Sequence, residues 1–110
     1  MHYRESTSID RSSWRGYTDG PGHMLFGSHE IGQIKAFFSN FERYNDSDVS
    51  VSVNPGYYDV SITVHSNLNK GDGWCRGKLY DALRFVADHI ARNCRQGSGS
   101  LSITIELYTA

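Results

Sequence analysis

The stretch VSVSVNPGYYDVSITVH, residues 49–65, alternates apolar and polar side chains on both sides of an Asn-Pro-Gly turn. Successive side chains of a strand point to opposite faces of a sheet, so this alternation predicts a β-hairpin with one buried and one solvated face. In the first strand the valines at 49, 51 and 53 share the apolar face. In the second strand that face carries Tyr58, Val60, Ile62 and Val64.

A helix is predicted on each side of this hairpin. Between residues 29 and 44 apolar side chains recur at spacings of three and four, which is typical of an amphipathic helix. The same pattern follows the hairpin at Leu79, Ala82, Leu83, Val86, Ala87, Ile90 and Cys94. The last run, SLSITIELYT at 100–109, alternates again and predicts a strand that buries Leu101, Ile103, Ile105 and Leu107.

The order of these elements predicts the fold class. The short apolar run HMLF, residues 23–26, is compatible with a first strand. The order is then β-α-β-β-α-β, which favours a ferredoxin-like α+β fold: a two-layer sandwich whose antiparallel sheet of three or four strands carries two helices on one face. Residues 1–22 are polar and lack a sustained period, so we expect an N-terminal arm followed by a single domain at 23–110.

Composition excludes several classes of protein. The 110 residues are 38% hydrophobic and 21% charged, which fits one soluble domain. No run approaches about 18 apolar residues and no apolar signal-peptide core is present, so we expect a cytoplasmic protein without a membrane partner. The net charge of -1 disfavours a protein that mainly grips phosphate backbones, so direct nucleic-acid binding is not favoured. The sequence leaves open whether the chain forms a homo-oligomer.

The candidates for catalysis are His65, Asp59, Glu106 and Cys75. No local spacing brings any two of them together as a nucleophile with a base or as an acid with a base. The five histidines are dispersed and form no CxxC or HxxxH ligand pair. We therefore predict no catalytic residue, no metal and no cofactor, and a chain that is not an enzyme.

The Gly-rich segment NLNKGDGWCRGK, residues 67–78, lies just before the second helix. Unpaired N–H groups at a helix N-terminus attract anions, so Lys70, Arg76 and Lys78 are candidates to hold a phosphate while Trp74 stacks on a base. The spacing differs from that of a P-loop, and the segment follows no strand of a predicted parallel βαβ unit. A flexible connection and a partner-binding loop are the alternatives.

The N-terminal arm interleaves aromatic residues with arginine. Such residues dominate binding hot spots because they bury a large area with few torsions to immobilise. The candidates for partner binding are Tyr3, Arg4, Arg11, Trp14, Arg15 and Tyr17, together with Trp74 in the Gly-rich segment. The alternative interpretation of the arm is a disordered tail.

Three functions from different classes follow. The first is a non-enzymatic interaction protein that binds a protein or nucleoprotein complex through the arm, the loop around Trp74 and one charged surface. In general character it would resemble stoichiometric inhibitors of host nucleases or defence complexes from phages and mobile elements, such as anti-CRISPR and anti-restriction proteins. The second is a small-ligand or nucleotide-binding module at 67–78, and the third is a small enzyme that uses His65 with Asp59 or Glu106. An uneven charge distribution favours the interaction protein, because separated charges can steer association with another macromolecule. The second helix is basic, whereas acidic residues lie at Glu42, Asp46, Asp48 and Asp59.

Overall fold

A computed structural model of the chain describes residues 1–22, 25–39, 49–67 and 69–110. Within these residues the fold is α+β, as the sequence predicts. The elements in chain order are β1 (His2–Asp10), a 3₁₀ turn (Arg11–Ser13), α1 (Ser28–Phe37), β2 (Val49–Pro55), β3 (Asp59–Ser66), α2 (Asp72–Asn93) and β4 (Ser100–Tyr108).

The four strands form one mixed sheet in the order β1-β4-β3-β2. β1 pairs antiparallel with β4 and β2 antiparallel with β3, but β3 and β4 are parallel. The predicted purely antiparallel sheet is therefore wrong, and the ferredoxin-like arrangement is not confirmed. The physical reason is α2, which is long enough to carry the chain back to the end of the sheet where β3 began, so that β4 runs beside β3 in the same direction.

The first strand lies in the segment that was predicted to be an arm. β1 pairs with β4 from His2 opposite Tyr108 to Asp10 opposite Ser100, so residues 2–10 belong to the sheet. In the run HMLF, Leu25 and Phe26 are buried outside any strand, and the other two positions lie outside the described residues. β1 escaped detection because Glu5 and Thr7 occupy the face where apolar residues were expected.

One face of the sheet forms the core together with the helices. α2 packs against β1 and β4, while α1 packs against β2 and α2. The predicted apolar faces of β4 and α2 are buried, except that Ala87 is half-buried, and Val60, Ile62 and Val64 of β3 are buried as well. Tyr58 is mostly exposed instead, because the strand begins only at Asp59. Ile34 of α1 is buried, as is Phe38, which follows the last residue of that helix. The predicted continuation to Phe41 and Tyr44 falls outside the described residues.

The chain between β1 and α1 closes the C-terminus of α2. The last carbonyl groups of a helix have no partner inside the helix and need donors from elsewhere. Here the carbonyls of Ala91, Asn93 and Cys94 accept hydrogen bonds from the N–H groups of Arg15, Thr18 and Gly16, at 2.9, 2.9 and 2.8 Å. The segment after β1 is thus a cap for α2 and not a free tail. In the part of the chain that is described, no helix has the length and apolar character needed to span a membrane.

The close approach at Gly16 gives a test of this cap. A Cβ atom at Gly16 would lie 2.0 Å from the carbonyl carbon of Asn93, so the two backbones would have to separate. We expect Gly16→Ala to lower the free energy of unfolding by roughly 2–3 kcal/mol, as overpacking does, in guanidinium denaturation. Gly22→Ala is the matched control, because no atom lies within 4 Å of the added Cβ there. Equal denaturation midpoints for the two variants would contradict this account of the cap.

Tyr3 joins β1 to the beginning of α2. Its ring is buried, its hydroxyl donates a hydrogen bond to Oδ1 of Asp72, and the guanidinium of Arg76 lies 5.6 Å from the ring centre. The hydrogen bond to Asp72, followed by burial and the negative charge of that carboxylate, raises the pKa of Tyr3 to about 12. A raised pKa means that the folded state holds the phenol proton more tightly than the unfolded state does.

An alkaline titration of Tyr3 should show the raised pKa of its phenol. Its contribution to stability is complete below pH 10, the ordinary value, and is lost as the pH rises through about 12. The difference in phenolate absorbance between the parent chain and Tyr3→Phe isolates this titration, and we expect a midpoint near 12. In an Asp72→Asn background the midpoint should fall toward 10. A parent midpoint already near 10 would rule out the hydrogen bond as the cause.

Candidate functional site

An arginine is surrounded by aromatic rings at one end of the sheet. The guanidinium carbon of Arg11 lies 5.4 Å from the ring centre of Trp14, 4.9 Å from that of Tyr57 and 5.8 Å from that of Tyr58. The two tyrosine rings meet edge to face with centres 4.6 Å apart. Trp14 is 3% exposed, whereas Tyr57 and Tyr58 are 69% and 72% exposed. We call these four residues the aromatic cluster.

Backbone hydrogen bonds hold the aromatic cluster in place. The N–H of Arg11 donates to the carbonyl of Gly99 at 2.9 Å, just before β4, and its guanidinium donates to the carbonyl of Tyr57. The carbonyl of Tyr58 accepts from the N–H of Ser102 in β4 at 3.0 Å. The turn between β2 and β3 is therefore fixed to the neighbouring strand. A surface that is ordered before binding loses little conformational entropy when a partner arrives.

Two buried polar atoms in the cluster lack hydrogen-bond partners. Among the described residues, the buried side-chain nitrogen and oxygen atoms without a partner are Nε of Arg11 and Nε1 of Trp14. Such an atom costs about 1–3 kcal/mol, so native proteins keep few of them. Both of these atoms lie in the aromatic cluster.

The structure separates the other residues that were predicted to bind a partner. Tyr3 is buried against α2, and the side chains of Tyr3 and Trp14 both pack in the core. Arg4 lies on the solvent-exposed sheet face, where its Nε is 3.9 Å from Oε1 of Glu106. Arg15 and Tyr17 are exposed beside the end of α2, and Tyr17 is 92% exposed. Of the six arm residues, the cluster unites Arg11 and Trp14.

The Gly-rich segment 67–78 is largely helical. α2 begins at Asp72, so Trp74, Arg76 and Lys78 lie in its first two turns, and α2 does connect two parallel strands, contrary to the expectation from sequence. The Nζ atoms of Lys70 and Lys78 lie 5.9 and 5.8 Å from the ring centre of Trp74. Arg76 instead faces Tyr3. The three basic side chains therefore do not converge on one anion.

Two further features count against a single binding surface at this segment. Asp72 places a carboxylate in the first turn of α2, where the partial positive charge of the helix N-terminus would otherwise favour an anion. Trp74 lies in that same region, whereas Trp14 lies beside the C-terminus of α2, about 30 Å away at 1.5 Å per residue. The predicted surface containing both tryptophans is thus divided. Its acidic counterpart at Glu42, Asp46 and Asp48 lies outside the described residues.

Three stacked rings occupy the exposed face of the sheet at its other end. His2, Tyr108 and His65 stand side by side on β1, β4 and β3. Their ring centres are 4.5 and 4.9 Å apart and their planes are tilted by 13° and 12°. The hydroxyl of Tyr108 donates to Oε2 of Glu106 at 2.8 Å, and Nε2 of His2 lies 3.2 Å from the same oxygen.

The hydrogen bond between Tyr108 and Glu106 shifts the pKa values of both groups. The hydrogen bond from Tyr108 lowers the pKa of Glu106, and His2 and Arg4 lower it further; the same bond raises the pKa of Tyr108. Glu106 is therefore ionised and Tyr108 protonated at neutral pH, whereas a general acid or base works best with a pKa near the working pH.

The remaining catalytic candidates lie apart from one another. Asp59 pairs with Ser102 and His65 with Tyr108, so about 20 Å of strand separates these two side chains. Cys75 is buried. Across residues 1–22, 25–39, 49–67 and 69–110, no group of three His, Cys, Asp or Glu side chains is arranged to hold a metal ion.

No protein-family model matches the chain, and neither a curated protein nor a solved structure is significantly similar to it.

Sequence reasoning missed three of the residues in these two sites. Tyr57 and Tyr58 were read as part of the hairpin, although an aromatic pair directly after NPG falls in the turn, where neither side chain has a strand opposite it. His2 was placed in the arm. The signal that could have found it is the alternation in HYRESTSID, which makes every even residue of β1 face solvent.

The hydrogen bond between Tyr108 and Glu106 can be tested by titration. Tyr108→Phe removes the largest cause of the lowered pKa, so the pKa of Glu106 should rise toward 4.5, as followed by carbon-13 NMR of the side-chain carboxyl. Because the pKa is lowered, the bond stabilises the fold above about pH 4.5 and this effect is lost at more acidic pH. Tyr57→Phe is the control, since that ring lies at the other end of the sheet. An unchanged titration in Tyr108→Phe would refute the assignment.

Proposed function

We propose that this chain is a non-enzymatic interaction protein that binds a protein or nucleoprotein partner through the aromatic cluster of Arg11, Trp14, Tyr57 and Tyr58. The observation that carries the proposal is the guanidinium of Arg11, held among three rings of which two are mostly exposed. Tyrosine, tryptophan and arginine are the residues most enriched in binding hot spots. The buried donors of Arg11 and Trp14 that lack a partner among the described residues add support.

The roles within the cluster follow from burial. Tyr57 and Tyr58 supply the contact area, because a fully buried tyrosine removes about 150–250 Å² from water. Trp14 forms the floor, and Arg11 keeps both tyrosine rings in position through its bond to the carbonyl of Tyr57. Arg15 and Tyr17 follow in the chain and stay proposed as peripheral contacts. A partner bound in this way would be inhibited by occupation of its surface, one chain to one partner, and not by a chemical reaction. Small inhibitors of host nucleases and defence complexes act in this manner.

The alternative, a nucleotide site at 67–78, has less support. Lys70 and Lys78 both lie over Trp74, which is the arrangement that such a site needs. Arg76 points to Tyr3 instead, and the carboxylate of Asp72 would repel a phosphate at the start of α2. The two surfaces lie at different ends of the chain's long helix, so substitutions can distinguish them.

The test begins with the tagged chain in a lysate of the organism that it comes from. A partner retained in a defined molar ratio is purified, and its affinity for the chain is measured by isothermal titration calorimetry. The double variant Tyr57→Ala/Tyr58→Ala should weaken binding by at least about 2 kcal/mol, or roughly 30-fold in Kd. Both side chains are mostly exposed, so the melting temperature should change little.

The matched control is the double variant Lys70→Ala/Lys78→Ala, which alters the competing surface by the same number of residues. We expect it to bind like the parent chain. Full affinity in the tyrosine variant would remove the aromatic cluster from the contact, and a loss confined to the lysine variant would transfer the function to the segment 67–78. If no protein is retained in a defined ratio, the proposed interaction protein is wrong.

A further inference from the structure

β1 leaves one edge of the sheet open. Among the described strands it pairs with β4 alone. Met1 and Thr109 exchange two backbone hydrogen bonds, of 2.8 and 2.9 Å, and Arg11 donates to Gly99. Hydrogen-bonded pairs alternate along an antiparallel ladder, so the odd residues of β1 direct their backbone groups toward β4. The N–H and C=O groups of the even residues, from His2 onward, point away from the sheet.

This edge carries charged side chains at Arg4, Glu5 and Asp10 but neither proline nor lysine. Edge strands are usually short, or carry proline or lysine, because unpaired backbone groups attract another strand. β1 spans nine residues without either residue type, whereas β2 at the opposite edge ends in Pro55. Only the end of the β1 edge is closed, where the carbonyl of Asp10 accepts a hydrogen bond from Oγ of Ser13 at 2.7 Å.

We infer that the occupant of this edge is a second copy of the chain, whose β1 pairs antiparallel with the first across a two-fold axis at Ser6. This interface is separate from the aromatic cluster, and the inference does not rest on the proposed function. The axis places Ser6 opposite Ser6, Arg4 opposite Ser8 and His2 opposite Asp10. All of these are even residues, whose outward N–H and C=O groups face one another as hydrogen-bonded pairs, except that the carbonyl of Asp10 already accepts from Ser13. The two four-stranded sheets become one continuous sheet.

The length of β1 selects this register, because an axis at Ser6 pairs all nine of its residues, and the charges are compatible with it. An axis at Ser6 brings Arg4 diagonal to Asp10 of the other copy, and on the opposite face it sets Glu5 against Thr7. An axis at Glu5 would instead oppose two carboxylates directly, which destabilises a strand pair. An axis at Thr7 would shorten the ladder and leave His2 without a position opposite it. Arg4 of each copy is thus placed near Asp10 of the other copy.

A groove on the helix side of β1 supports the same occupant. It has a volume of about 140 Å³ and is lined by Ser6, Thr7, Tyr80, Leu83, Arg84 and Ala87. Tyr80 is 59% exposed there. The groove lies beside the centre of β1, so a two-fold axis at Ser6 would bring the two grooves together and cover both tyrosines. Unpaired backbone and an exposed aromatic ring are then removed from water by one contact.

The oligomeric state in solution tests the inference. Sedimentation velocity over a range of concentrations should show a reversible dimer of the parent chain. Ser6→Lys would set two ammonium groups opposite each other at the axis, so its dimer dissociation constant should rise at least tenfold. Ser52→Lys is the matched control: Ser52 is an exposed serine on the other edge strand, and its variant should dimerise like the parent.

A cross-link gives a second readout that does not depend on weakening the dimer. Opposed residues in a hydrogen-bonded antiparallel pair have Cα atoms about 5.5 Å apart, within the range of a disulfide. Under mild oxidation Ser6→Cys should form covalent dimers, and Ser52→Cys should not. Cys75 and Cys94 are buried, so the native thiols should not cross-link in either variant. A parent chain that stays monomeric, a dimer untouched by Ser6→Lys, or equal cross-linking of both cysteine variants would each overturn the inference. Tyr57→Ala/Tyr58→Ala should stay dimeric.

Discussion

The parallel pairing of β3 with β4 is the constraint on which the rest of the fold depends. Adjacent parallel strands need a crossover, and α2 supplies it with 22 residues, about 33 Å of helix. The crossover places β4 inside the sheet, where it pairs on both sides, and its Leu101, Ile103, Ile105 and Leu107 are fully buried. β1 then occupies the outer edge of β4. The exposed edge follows from that position.

The N-terminal residues are part of the folded sheet and of its packing against α2. β1 is fastened to β4 at both ends, by Met1 with Thr109 and by Arg11 with Gly99. The chain then supplies donors to the last carbonyls of α2, which the crossover leaves without partners. Trp14 is buried as a consequence of that route. An aromatic residue in a polar segment is thus explained by the structure without any partner, and only the exposed rings that surround Arg11 call for one.

An element of this fold can be predicted from the sequence where its apolar residues recur with a regular period. β3, β4 and α2 carry uninterrupted apolar periods, and their buried faces are where those periods place them. β1 carries Glu5 and Thr7 on its inner face, because an edge strand is only half covered and tolerates polar residues there. The parallel pairing is a long-range property that no local period encodes. The aromatic cluster joins residues 11 and 14 to residues 57 and 58, so no spacing in the chain reveals it.

The two proposed surfaces are compatible because they use different parts of β1. Pairing of two copies uses the outward backbone groups of residues 2–10, whereas the aromatic cluster begins at Arg11, where the 3₁₀ turn directs the chain away from that edge. With a two-fold axis at Ser6, the two clusters would lie on opposite sides of the axis, separated by about the length of β1, roughly 30 Å. A partner that presents two equivalent sites at that spacing would be held by both. The second contact would then be intramolecular, so a modest single-site affinity is enough for tight binding.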